Sequence, residues 1–222
     1  MKFRLVKQID RVYAAYIDTP YNLGMTFVRI QEYYESPKFK GKHFSLEDFM
    51  DYWANKHGEG SFDYPMAWSG FNVPGKAIKG WMKKFPKNDM REKEEALLNR
   101  FLARLKKDNV NLEDSYLIGV SSKDKKEVKE TIRHEIAHAL YLLYPKYKKS
   151  CNAIFKRINK KPTWAMRVKA AEEKLISMGY CNNVLLDELQ AYWSTSEPTR
   201  KDELESYDIF KKNLQNFLDS LS

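Results

Sequence analysis

The sequence predicts an α+β fold that is mostly helical, with a small sheet. Three observations carry this. Two short β-prone runs, "FRLVKQ" and "RVYAAYI", stand near the start, and a third apolar run, "YLIGV", lies near the middle. Most of what remains repeats its apolar residues at helical spacing. A hydrophobic fraction of 43% with 14% aromatics supplies a sizeable core, which excludes wholesale disorder.

In chain order, the first two runs are separated by "IDR" and predict a hairpin. "TFVRIQEYYESP" fits helix and strand equally until Pro37 stops it. "SLEDFMDYWANKHG" predicts a helix, with Ser45 as N-cap, Asp48 three residues on and Gly58 past the end. "SFDYPMAWSGFNVPG" reads as an ordered loop packed by its own rings. "KAIKGWMKKF" predicts a short helix, and "NDMREKEEALLNRFLARLKKD" a long one with Met90, Leu97, Phe101 and Leu105 near one stripe. "YLIGV" is a buried strand. "KKEVKETIRHEIAHALYLLYP" is a helix whose core stripe is Val128, Ile132, Ile136, Ala139 and Leu143. Helices are then expected from Tyr147 to Ile158, Thr163 to Met178 and Val184 to Trp193, with a last one in "RKDELESYDIFKKNLQNFLDSLS". The expected boundary between two regions, 1–110 and 111–222, falls just before the third strand.

No apolar run approaches the roughly 20 residues needed to span a bilayer, and the first twenty residues lack the continuous apolar stretch of a secretory signal. A cytoplasmic protein without a membrane partner is expected. Cys151 and Cys181 form no C-x-x-C pair and read as buried or half-buried thiols, neither ligands nor nucleophiles.

The net charge is +9, and from Pro145 to Ala170 there are nine Lys and Arg and no acid. Such a field favours acidic partners, whether polypeptide or nucleic acid. A solvated lysine-rich surface accounts for it equally, and only weak, nonspecific nucleic-acid binding is expected. Tyr147, Phe155 and Trp164 fit core stripes as well as base stacking.

The stretch "TIRHEIAHAL" carries the chemistry. On a helix, positions four apart lie about 40° apart around the axis. His134 and His138 therefore point two imidazoles at one ion, while Glu135 stands to the side, placed to take a proton from a water on that ion. A catalytic zinc needs a third protein ligand and an open position. His43 and His57 lie far upstream, and no H-x-x-G-x-x-H continuation follows His138. Downstream carboxylates remain, best among them Asp187 and Glu188 in "LLDELQAYW"; Glu172 and Glu173 read as a solvated pair.

"HEIAH" followed by a helix with "ELQAY" resembles the gluzincin metallopeptidases, especially their small, reduced members. The resemblance covers roughly the second half of the chain. It implies a zincin-like catalytic half with a small sheet packed on the metal-binding helix, Zn2+ held by His134, His138 and Glu188, and Glu135 as general base in zinc-dependent hydrolysis of peptide bonds. Where many gluzincins place an aspartate four residues after the ligand glutamate, this chain has Tyr192, which shares a face with Glu188 and is the candidate to orient an imidazole or donate to the oxyanion. Asp187 is expected to be dispensable. The strand "YLIGVSS" is the expected edge for an extended polypeptide substrate, and residues 1–110 are a cleft wall or a latency segment. Two other readings stay open: a non-catalytic basic zinc protein associated with nucleic acid, and a regulatory peptidase specific for one intracellular partner.

Overall fold

A computed structural model describes residues 1–57, 60–68, 70–121, 124–177, 182–197 and 204–221. Three sequence expectations, the roles of Gly58, Met178 and Cys181, lie outside these. The chain divides into two compact units, Met1–Ile132 and Arg133–Ser222.

The first unit opens with the hairpin β1 (Phe3–Ile9) and β2 (Val12–Ile17), antiparallel with Val6 opposite Ala14. Its turn places Arg11 at φ 61. The ambiguous segment is helix α1 (Pro20–Glu35), begun by Thr19, whose side chain accepts from the Asn22 amide. Helical spacing puts Leu23, Phe27 and Ile30 into the core together, which a strand could not do. Helix α2 (Leu46–Lys56) starts with the expected cap: the Ser45 and Asp48 side chains each accept from the other's backbone amide. The expected loop is instead a short helix, α3 (Tyr64–Ala67), followed by strand β3 (Gly70–Pro74). Phe71 and Val73 alternate into the core there, a period-two signal hidden by the surrounding Pro and Gly.

Helix α4 (Gly75–Lys84), a 3-10 turn at 87–89 and helix α5 (Glu92–Lys107) follow. Leu97, Phe101 and Leu105 are buried on α5, whereas Met90 precedes the helix. Arg29 of α1 reaches the Glu94 carboxylate of α5 at 2.9 and 2.5 Å, a buried pair that fixes the two helices. Strand β4 (Tyr116–Val120) completes the sheet in the order β1-β2-β4-β3, parallel to β2 and antiparallel to β3.

This order corrects one expectation. Strand β4 is not an edge: it is paired along both sides and all five residues are buried, which is why it reads as an unbroken apolar run. No substrate backbone can add to it. The expected boundary at 110/111 falls inside the first unit, because β4 belongs to that unit's sheet. A Cβ at Gly119 would stand 2.5 Å from the Phe27 ring and 2.9 Å from Leu23, so here α1 lies directly on the strand backbone.

Helix α6 (Lys125–Leu143) carries the histidine motif, and the division of units falls within it. The second unit continues with α7 (Pro145–Ile158), α8 (Pro162–Ser177), α9 (Leu185–Thr195) and α10 (Leu204–Asp219). Phe155, Trp193 and Phe210 pack as a ring cluster with centroids 4.8 to 5.8 Å apart. Tyr147, Phe155 and Trp164 are all buried, so they are core side chains and not base-stacking surfaces. Cys151 is a buried free thiol. On α6 the buried face is broader than the expected stripe: Ile132 and Ala139 are buried, but Ile136 and Leu143 are half-buried, while Ala137, Leu140 and Tyr141 are buried. The histidine side of the helix is itself packed, against α9. No helix among the described residues is long and apolar enough to cross a membrane.

Candidate metal centre

Two helices build the site, and all of its residues lie in the second unit. Helix α6 supplies His134, Glu135 and His138, and α9 supplies Asp187, Glu188, Tyr192 and Thr195. On α9, positions 188, 192 and 195 follow one face by the i, i+4, i+7 rule. The ligand atoms of His134, His138 and Glu188 all lie within 4.8 Å of one another.

The second nitrogen of each imidazole determines which nitrogen faces the cluster. Thr195 Oγ1 gives its hydrogen to the Ala191 carbonyl at 2.7 Å. Toward His134 Nδ1, at 3.1 Å, it can therefore only accept, and that nitrogen must carry the proton. His138 Nδ1 lies 3.0 Å from Asp187 Oδ1 and donates to it. Both Nε2 atoms are thus turned inward, 3.2 Å apart, with Glu188 Oε2 3.7 Å from His138 Nε2. The Tyr192 ring lies against the His134 ring, centroids 4.8 Å apart.

The charges in this cluster are strongly coupled. Burial, and the neighbouring His138 cation, push His134 down to about 3, so it is neutral. Burial also opposes a charge on His138, but its bond to Asp187 and the charges of Asp187, Glu188 and Glu135 outweigh this and lift it to about 10. Burial lifts Glu188 to about 7; His138 pulls it down, and Asp187 and Glu135 push it up. Glu135 is buried and acts electrostatically on both His138 and Glu188. Without an ion, a proton on His138 Nε2 points at the bare Nε2 of His134.

The donor set fits zinc. Ligands about 2.0–2.1 Å from a tetrahedral ion lie roughly 3.3 Å from one another, near the observed 3.2 and 3.7 Å. Two imidazoles and a carboxylate are zinc's ordinary partners, and the charges of Asp187, Glu188 and Glu135 around His138 favour a cation there.

All five sequence-predicted site residues come together here. His43 and His57 do not: His43 pairs with Asp89 and stacks on Phe85, and His57 packs on Trp53. Glu173 is exposed beside Lys169, as a solvated helix residue would be. Three residues escaped the sequence reading, namely Asp187 as partner of His138, Thr195 as partner of His134, and Gln190. Thr195 was findable, since it continues the Glu188–Tyr192 face by one more turn.

No family model matches the chain, and neither a curated protein nor a solved structure matches it.

Proposed function

We propose that the chain is a zinc-dependent endopeptidase of gluzincin type, in which His134, His138 and Glu188 hold the ion. The observation that carries this reading is the convergence of three ligand atoms within 4.8 Å beside a buried glutamate that follows the first histidine directly. When bound, zinc supplies polarisation of a carbonyl and lowers the pKa of a water to about 7. Glu135 takes the proton of the attacking water and returns it to the leaving amine. Asp187 and Thr195 accept from the two Nδ1 atoms and so leave both Nε2 atoms inward, the outer partners that metal-ligating histidines ordinarily have. Tyr192, against His134, flanks the site and is the candidate donor to the oxyanion.

The substrate is a polypeptide, and the basic α7 face favours acidic sequences around the cut. A buried free thiol at Cys151 fits a reducing compartment such as the cytoplasm. The same exposed cations, Lys146, Lys149, Lys156 and Arg157, support the second reading, a non-catalytic zinc protein lying on nucleic acid. One experiment separates them: a mixed peptide library incubated with the zinc-loaded protein beside its Glu135→Gln form, with cuts read by mass spectrometry. Cuts made by the parent and not by the variant support the peptidase. Zinc binding without cuts from either supports the non-catalytic protein.

A further inference from the structure

Gln190 has no exposed surface. Its Nε2 donates to the Ala137 carbonyl at 3.2 Å and to Asp187 Oδ1 at 3.0 Å. Its Oε1 accepts from the Tyr147 hydroxyl at 2.9 Å. The amide can face only one way, since a flip would set Oε1 against two other oxygens. One side chain thus ties α9 to α6, at the residue before His138, and to α7, while gripping the carboxylate oxygen that His138 contacts.

We infer that Gln190 is a positioning residue for the metal centre, holding Asp187 in the rotamer that fixes His138 with Nε2 inward. The inference rests on the metal-centre reading above. A methionine would fill the same space without any hydrogen bonds to satisfy, so filling the space does not account for an amide. Asp187 is the part of the site that needs holding: its side chain keeps 28% of its surface exposed, and water competes for it.

The test is a double-mutant cycle on zinc affinity, by competition against a chromophoric chelator. It uses the parent, Gln190→Met, Asp187→Ala and the double variant, with thermal melts of each zinc-free form to show that it folds. Gln190→Met is expected to weaken zinc binding about tenfold in the parent and less than about twofold in the Asp187→Ala background. Cobalt(II) bound to the same four proteins should show visible bands that shift with Gln190→Met only where Asp187 is present. Equal losses in both backgrounds, or no loss in the parent, overturn the inference and leave Gln190 a packing residue. A parent that binds no zinc overturns the metal-centre reading itself. Should Gln190→Met not fold, the cycle runs with Tyr147→Phe, which removes one hydroxyl; a severalfold loss confined to the Asp187 background is then expected, and equal losses overturn the inference.

Discussion

His138 Nδ1 stands 3.0 Å from Asp187 Oδ1, and the residue that follows this aspartate, Glu188, brings its own carboxylate to 3.7 Å from Nε2 of the same ring. Adjacent acids on one helix thus grip opposite ends of one imidazole. The first has the place of an orienting partner and the second that of a ligand.

Asp187→Ala should weaken zinc binding about 10–100-fold, the ordinary cost of removing an outer partner of a ligand histidine. This replaces the sequence-based expectation that Asp187 is dispensable. Asp187→Asn retains an oxygen that can face Nδ1 and should lose less. A chelator-competition titration ranks the three proteins.

Glu188→Ala should remove a ligand outright and cost more zinc affinity than Asp187→Ala, with loss of hydrolysis. His134→Ala and His138→Ala should behave like it. Metal content after dialysis measures all three, and full occupancy in the Glu188 variant would move the third ligand elsewhere.

Glu135→Gln keeps the shape of the side chain but cannot take a proton. Zinc should remain at the parent's stoichiometry while peptide hydrolysis falls about 10²–10⁴-fold, the usual span for a general base. Elemental analysis beside a cleavage assay reads both.

The zinc-free protein should lose stability as pH rises from 7 to 10. His138 is held at about 10 when folded, against 6.5 when unfolded. Its contribution is complete below 6.5 and disappears as pH climbs through 10, with a slope of at most about 1.4 kcal/mol per pH unit. On the acid side, His134, lowered to about 3, makes stability fall as pH drops below 6.5. Glu188, raised to about 7, acts in the opposite sense between 4.5 and 7, so the two largely offset. Zinc on His138 Nε2 would replace that proton, so the loaded protein should show a smaller alkaline loss, keeping only the part above 9 that the raised Cys151 thiol contributes. Thermal melts with and without chelator between pH 7 and 10 test this.

The basic face of α7 should bind duplex DNA weakly at low salt and release it as salt rises, because the exposed side chains are cations and the rings are buried. Fluorescence anisotropy across a salt series checks it. Binding that survives physiological salt favours the nucleic-acid reading.

The His134–Glu135–His138 trio was legible because one helical period fixes its geometry, and so was Ser45, because a cap is a local contact. Strand β3 was not, since Pro and Gly around "FNV" mask a two-residue alternation that only pairing with β4 makes a strand. The internal position of β4 was equally hidden: an apolar run reports burial but not which strands lie beside it. Asp187 and Gln190 escaped because their partners, His138 and Ala137, lie on another helix, and no spacing within one helix encodes that.

The contact between Gly119 and Phe27 makes the two positions depend on each other. A Cβ at 119 would stand 2.5 Å from that ring and 2.9 Å from Leu23, so a side chain there forces both to shift. A smaller residue at 27 relieves the nearer of these contacts but by itself leaves a hole in the core. Each substitution alone is therefore expected to be destabilising. Phe27→Leu and Gly119→Ala made together should therefore cost less than the sum of the two made separately.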